Sequence, residues 1–166
     1  MSLTAPHPIW TTAGSSPANV AMATVQSVML SGRYYTESLC RHWSKNKRGV
    51  CLLSPECENT VEDIPHILKF CPALTPFRQK LNLFTEAFCQ RLEIQDIRSL
   101  LTNLCVTSNP LFVNFLLDCS SLPMVITSVQ QHGVVVLHHL FRVTRTWIFV
   151  LHRERLKMLG QWNKFA

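Results

Sequence analysis

Hydrophobic residues recur every three or four positions through much of the chain. Between residues 75 and 92, Phe77, Leu81, Phe84 and Phe88 fall on one side of a helix, with polar residues between them. Shorter apolar segments on both sides end near Gly, Pro, Asn or Ser, which often terminate helices. The pattern predicts helices over residues 20–30, 36–44, 61–70, 75–92, 94–105, 111–119, 122–132 and 134–159.

These helices cover most of the chain, and the pattern contains no full sheet. We therefore predict an all-α fold, a small helical domain with a long C-terminal helix. Residues 1–19 contain Pro6, Pro8, Gly14 and Pro17 with several Ser and Thr, which is typical of a disordered segment or a linker. We predict a helical lead-in with a cysteine-containing loop over 20–74 and a helical domain over 75–166.

Four candidate metal ligands lie in the loop at residues 50–74. They are Cys51, Cys57, His66 and Cys71, spaced C-x5-C-x8-H-x4-C. Thiolate and imidazole ligands in two close pairs favour tetrahedral zinc, although the first pair is wider than the common C-x2-C. Thr60 and Asp63 resemble a capping box that would start the helix at 61–70, and Pro72 would stop it near Cys71. The alternative is three buried thiols and an ordinary half-buried histidine.

Composition limits the class of protein. A chain of 166 residues with 47% hydrophobic residues can form one domain with a substantial core. The seven cysteines are an odd number, and the first residues lack the pattern of a secretory signal. We therefore expect an intracellular protein, in the nucleus or cytoplasm, whose cysteines are free or bound to metal.

Positive charge is concentrated on both sides of the acidic metal loop. The net charge is +6, and residues 33–48 and 142–157 each contain five basic residues and one acidic residue. Such patches indicate binding to a polyanion, and the alternative is a solvated surface. The candidate phosphate contacts are Arg41, Lys45, Lys47, Arg48, Arg142, Arg145 and Arg153.

Two further expectations concern the long helix and an aromatic residue. His138, Arg142, Arg145, Phe149 and His152 share one stripe of the helix at 134–159, which could follow a nucleic-acid backbone. The arginines argue against a membrane span, since each would cost roughly 2.5–3.5 kcal/mol at mid-bilayer. Trp43 lies in the first basic stretch, and we expect it in the core.

The sequence resembles the region that follows the polymerase domain in non-LTR retrotransposon polyproteins. The segments that carry the resemblance are GRYYTE at 32–37, H-x4-CP-x-L at 66–74, RTW at 145–147 and LHRER at 151–155. Members of that family are reverse transcriptases with a Cys-Cys-His-Cys knuckle near the C-terminus. The resemblance implies a zinc knuckle at the four ligands and a tail that assists binding of element RNA or target DNA during target-primed reverse transcription.

The sequence lacks familiar catalytic signatures. It contains no G-x-S-x-G, H-E-x-x-H or Walker motif, and no two aspartates are adjacent, as the resembling polymerases require. We therefore expect a non-catalytic tail that binds RNA or DNA. The reverse transcriptase core is a further candidate partner, and we expect no membrane or small-molecule substrate. The alternatives are a helical module that docks on the reverse transcriptase core, and a degenerate remnant without activity.

Overall fold

The longest helix, at residues 135–158, organises the fold. The computed structural model describes residues 5–45 and 48–161. Its α-helices are α1 (Pro8–Thr11), α2 (Pro17–Leu30), α3 (Glu37–Arg41), α4 (Thr75–Gln90), α5 (Gln95–Leu104), α6 (Phe112–Asp118), α7 (Pro123–His132) and α8 (Val135–Met158). Helix α8 contacts α2, α4, α5, α6 and α7. The prediction of an all-α fold with a long C-terminal helix is confirmed.

The core forms where α8 meets the other helices. Trp147, Phe112, Phe115 and Phe141 are fully buried, and the rings of Phe112 and Trp147 meet edge to face with centroids 5.4 Å apart. Trp147 Nε1 donates to Thr85 Oγ1 at 2.9 Å, so the indole nitrogen is satisfied inside the core.

Helix α2 is joined to this core by a buried amide. Gln26 Nε2 donates to Leu116 O at 2.7 Å and to Thr144 Oγ1 at 3.1 Å, which links α2 to α6 and α8. The same hydrophobic core includes Met29 and Leu68. It therefore joins the two segments, 20–74 and 75–166, that the sequence suggested as separate parts.

The prediction of a disordered segment or linker over 1–19 is wrong for the part that the structure describes. Pro8 occupies the first turn of α1, and His7 Nδ1 accepts a hydrogen bond from Ile9 N at 3.2 Å. Ile9 and Ala13 are only 1% and 3% exposed. The prolines start helices here because their fixed φ suits a helix N-terminus.

The predicted helix over 61–70 is wrong at its start, whereas residues 64–70 are helical. Val50 and Val61 form an isolated antiparallel bridge, with hydrogen bonds from Cys51 N to Thr60 O and from Glu62 N to Gly49 O. The segment 60–62 is therefore extended, and helical structure begins only at Ile64. A π-helical turn, His66–Phe70, follows.

The remaining connections are short. The 3-10 turns are Pro55–Cys57, Pro72–Leu74 and Cys119–Ser121. Within the described residues, no single helix is both long and apolar enough to cross a membrane. The bent pair of helical segments Phe112–Ser121 and Pro123–His132 would be long and apolar enough when taken together, by length and composition only.

Candidate metal centre and basic surface

The fold brings the four predicted ligands together. One ligand atom from each of Cys51, Cys57, His66 and Cys71 lies within 4.8 Å of the other three. The Sγ atoms of Cys51 and Cys71 are 3.8 Å apart, which is far longer than a disulfide bond. The four side chains are between 0% and 4% exposed. The cluster can hold a metal ion.

Local backbone structure positions the first two ligands. The bridge between Val50 and Val61 places Cys51 beside Thr60 on two paired extended segments. Ser54 Oγ accepts a hydrogen bond from Glu56 N at 3.2 Å and caps the 3-10 turn that ends at Cys57. Cys51 therefore lies on a paired extended segment, and Cys57 lies at the end of a capped turn. Together these two features bring the two sulfurs close to each other despite the wide C-x5-C spacing.

The second pair of ligands lies at the two ends of the π-helical turn. Asp63 Oδ1 accepts from His66 N at 2.8 Å, so Asp63 caps this turn in place of Thr60. Cys71 N donates to His66 O at 2.7 Å, a bond between residues five apart. Cys71 has extended backbone angles at the end of the turn, as the sequence predicted. Isolated π-helical turns are often found at functional sites.

Burial disfavours charge on every cluster residue. It raises the pKa of Cys51 to about 11 and raises the pKa of Cys57 and Cys71. It also lowers the pKa of His66, so the imidazole is neutral and can coordinate a metal. His66 Nε2 is buried and has no hydrogen-bond partner among the described residues. A metal ion would stabilise the thiolates and could satisfy this nitrogen, so the donor set fits a bound metal.

A buried arginine lies against the cluster. Arg78, in the first turns of α4, is 5% exposed and donates to Ile67 O, Cys71 O and Thr75 Oγ1. Three thiolates and a neutral imidazole around a divalent cation would carry a net charge of about −1. The guanidinium of Arg78 would therefore offset that charge while its hydrogen bonds fix the backbone of Cys71.

Glu62 connects the metal loop to two helices. Its carboxylate is fully buried and pairs with Arg155 of α8, Nη2 to Oε1, at 2.5 Å. The same Oε1 accepts from Glu37 N at 2.8 Å, at the first turn of α3. The sequence did not identify Glu62 and Arg155 as site residues, because they lie 93 positions apart in the chain. Arg78 was also missed, because its hydrogen bonds to Ile67 and Cys71 go to backbone carbonyls and leave no pattern in the sequence.

The first basic stretch is exposed beside the metal loop. Arg41, Lys45 and Arg48 all have exposed side chains, and Lys47 lies outside the described residues. Arg41 packs against Gly49, where φ is 76° and an added Cβ would lie 3.1 Å from Arg41 Cδ. Because Gly49 also accepts the hydrogen bond from Glu62 N, this contact fixes α3 relative to the cluster.

Trp43 is exposed, so the expectation that it lies in the core is wrong. Its side chain is 82% exposed, and Tyr35 nearby in the sequence is 75% exposed. Helix α3 ends at Arg41, two residues before Trp43, which therefore lies in a turn and does not continue the buried side of a helix. The first basic stretch, residues 33–48, thus contains two exposed aromatic rings.

The predicted stripe on α8 is not a continuous exposed surface. Arg142 is exposed, but Arg145 is 3% exposed and donates to Thr12 Oγ1. The expectation that Arg145 lies on an exposed stripe is therefore wrong, because Thr12, directly after α1, contacts this part of α8. Arg153 is half-exposed, and its Nη2 pairs with Glu154 Oε1 at 2.8 Å.

Three other cysteines are buried away from the candidate metal ligands. Cys89, Cys105 and Cys119 are buried outside the cluster, and burial raises the pKa of each thiol. They pack as small apolar side chains.

The chain was also compared with known proteins. Comparisons with protein-family models, with curated proteins and with solved structures give no significant match.

Proposed function

We propose that this chain is a non-catalytic, zinc-stabilised domain that binds single-stranded RNA or DNA. The observation that carries the proposal is the buried Cys51, Cys57, His66 and Cys71 cluster with an exposed basic and aromatic surface beside it. The cluster holds the loop in shape, and the surface makes the contacts with the strand.

Zinc is the metal that suits this donor set best. Three thiolates and one imidazole are a common structural zinc site. In a tetrahedron with Zn–S bonds of about 2.3 Å, two sulfurs lie about 3.8 Å apart. The distance between Cys51 Sγ and Cys71 Sγ is 3.8 Å. Four protein ligands leave no open coordination position, so the role of the ion is to stabilise the fold.

The surface beside the cluster has both features that single-strand binding requires. Arg41, Lys45 and Arg48 supply positive charge, and Trp43 supplies an exposed ring. Proteins that bind single strands without strong sequence preference combine a basic surface with rings on which bases stack, at roughly 1–3 kcal/mol per base.

The resemblance to non-LTR retrotransposon proteins suggests the biological strand. In that setting the domain would follow a reverse transcriptase and hold element RNA or target DNA during target-primed reverse transcription. The basic residues beside the knuckle are compatible with either strand, because phosphate contacts do not depend on base sequence.

A second candidate function is docking on a protein such as the reverse transcriptase core. The observation that favours it is the exposure of apolar side chains in the metal loop, where Leu52 is 59%, Val61 51% and Phe70 61% exposed. Exposed apolar groups of this kind are found at protein interfaces. In that case zinc would stabilise a docking loop, and strand binding would be absent.

The salt dependence of strand binding tests the first function against the second. We expect the zinc-loaded chain to bind a short single-stranded RNA or DNA, with affinity falling about tenfold or more between 50 and 200 mM salt. Lys45→Gln with Arg48→Gln should reduce both affinity and salt slope, whereas Trp43→Ala should reduce affinity and leave the slope unchanged. Arg91→Gln, an exposed cation at the end of α4, is the matched control. No binding by the folded, zinc-loaded chain would favour docking instead.

A further inference from the structure

A second basic site lies in a cleft formed by α2, α4, α8 and the segment after α1. The cleft has a volume of about 540 Å³, and its lining includes Asn19, Met22, Phe84, His139, Arg142 and Arg145. Among the described residues, no acidic side chain lines it. Its size falls in the range of small-molecule sites, which is roughly 300–1,000 Å³.

Arg145 is buried in this cleft, and no carboxylate of residues 5–45 and 48–161 pairs with it. It is 3% exposed, it donates to Thr12 Oγ1, and its guanidinium lies 5.7 Å from the centre of the Phe141 ring. Its Nε is buried without a hydrogen-bond partner in the described part of the chain. A buried cation is costly when no carboxylate pairs with it and one of its N–H groups lacks an acceptor, and an anion in the cleft would reduce that cost.

Arg142 lies three residues before Arg145 and on the same side of α8. Its guanidinium lies 5.5 Å from the centre of the Phe88 ring, and within residues 5–45 and 48–161 it forms no ion pair with a carboxylate. Residues three apart on a helix are neighbours. Two planar guanidinium groups at one cleft are well suited to the oxygens of a phosphate group.

Other residues of the lining are suited to a planar apolar group. Met22 and Phe84 supply apolar surface, and the Asn19 side chain can both donate and accept hydrogen bonds. A thioether and an aromatic ring provide favourable contacts for a heteroaromatic base. The cleft thus combines the recognition elements for both ends of a nucleotide.

We propose that this cleft binds a nucleotide, with its phosphate at Arg142 and Arg145 and its base against Phe84 and Met22. The nucleotide is either free in solution or the 5′-phosphorylated terminal residue of a strand. Arg142 lies 13 residues before Arg155, or about 20 Å along α8 at 1.5 Å per residue, so the cleft is distinct from the metal loop that Arg155 contacts. The site goes beyond the strand-binding surface around Trp43, and its occupancy does not require that surface.

Calorimetric titration of the full, zinc-loaded chain with adenosine monophosphate tests the proposal. We expect binding that is tighter than that of inorganic phosphate and that weakens about tenfold or more in Arg142→Gln. Arg153→Gln, a half-exposed arginine on the same helix outside the cleft, should bind as the wild type does. Arg142 is exposed, so its substitution should leave the melting temperature unchanged and separate lost binding from lost folding.

Other variants and ligands decide between the remaining outcomes. Phe84→Leu should weaken binding of adenosine monophosphate but not of phosphate, and equal affinities for the two ligands in the wild type would overturn the proposal. Equal weakening in Arg142→Gln and Arg153→Gln, or no binding of either ligand, would also overturn it. The affinity of a short strand with a 5′-phosphate can be compared with that of the same strand with a 5′-hydroxyl, in the wild type and in Trp43→Ala. Tighter binding of the 5′-phosphorylated strand in both proteins would identify the end of a strand as the ligand of the cleft. Tight adenosine monophosphate binding without that difference would identify a free nucleotide.

Discussion

The seven cysteines of this chain have different surroundings, and these surroundings decide their chemistry. Cys51, Cys57 and Cys71 converge with His66, and their sulfurs lie near a neutral imidazole and the buried guanidinium of Arg78. Cys89 is buried among the side chains of α4 and α5, outside any cluster of metal ligands in the described residues. Burial alone therefore does not make a thiol a metal ligand; the convergence of several donors does.

Cys71→Ser should remove metal binding, because it deletes one of four ligands at the end of the π-helical turn. We expect the zinc content to fall from about one ion per chain to well below one, with a large drop in melting temperature, since zinc binding supplies folding free energy. The matched control is Cys89→Ser, which deletes a buried thiol outside the cluster and should keep its zinc. Zinc content by atomic absorption and melting by circular dichroism measure both effects. Full zinc content in Cys71→Ser would show that Cys71 is not a ligand.

At the level of elements, hydrophobic periodicity was sufficient to predict that helices α2 and α4 to α8 exist. Gly133 marks the end of α7 as predicted, whereas α2 begins at Pro17, inside the segment predicted to be a linker. The four ligands could likewise be predicted, because their spacing is local in sequence. The predicted start of the helix at residue 61 was wrong, because Thr60 and Glu62 form backbone hydrogen bonds with Cys51 and Gly49, which lie 9 and 13 positions earlier.

Side-chain exposure was harder to predict than helix boundaries. Arg145 is buried and bonded to Thr12, which lies directly after α1 in a proline-containing segment whose pattern indicated a linker. Trp43 is exposed because α3 ends two residues before it. In both cases the outcome depends on a distant element or on where one short helix stops, and neither is encoded in the local pattern.

The second half of α8 should make stability depend on pH. His152 Nδ1 lies 2.7 Å from the hydroxyl of Tyr34, and burial, with a smaller contribution from Arg155, lowers its pKa from 6.5 to about 4. Between those two values the unfolded chain binds more protons than the folded chain. The free energy of unfolding should therefore fall as the pH is lowered from about 6.5 towards 4.

Comparison with His152→Gln isolates this contribution from that of the metal cluster, which is the same in both proteins. Urea denaturation at pH 7 and pH 5 should show that the wild type loses about 1 kcal/mol more stability than the variant, after allowance for solvent screening of a half-buried side chain. The same loss of stability in both proteins would mean that His152 does not carry the effect.

Across the whole molecule, one buried ion pair joins the metal loop to the helical core. Glu62 is fully buried, Arg155 is 3% exposed, and the ring of Tyr34 lies 5.6 Å from the Arg155 guanidinium. Glu62 also holds the first turn of α3, which leads into the exposed basic surface. This pair therefore links the core to the proposed zinc site and to the proposed strand-binding surface.

Glu62→Gln should destabilise the whole molecule, because it leaves the Arg155 guanidinium buried without its counter-charge. We expect a loss of about 3–5 kcal/mol in the free energy of unfolding, which is the usual cost of breaking a buried pair. Zinc affinity should fall as well, since the segment that leads to His66 loses its attachment to α8. Arg153→Gln, which breaks the half-exposed pair with Glu154, should cost only about 0–1 kcal/mol and leave zinc affinity unchanged.

A double-mutant cycle separates the ion pair from other effects of the two substitutions. Arg155→Met retains much of the apolar packing against Tyr34 while it removes the charge. If the pair is the attachment, Glu62→Gln combined with Arg155→Met should cost less than the two single variants added together, because neither charge is left buried alone. Urea denaturation of the zinc-loaded proteins measures the four free energies. Strictly additive losses would mean that Glu62 acts through its hydrogen bond to α3, and that the metal loop is attached to α8 by other contacts.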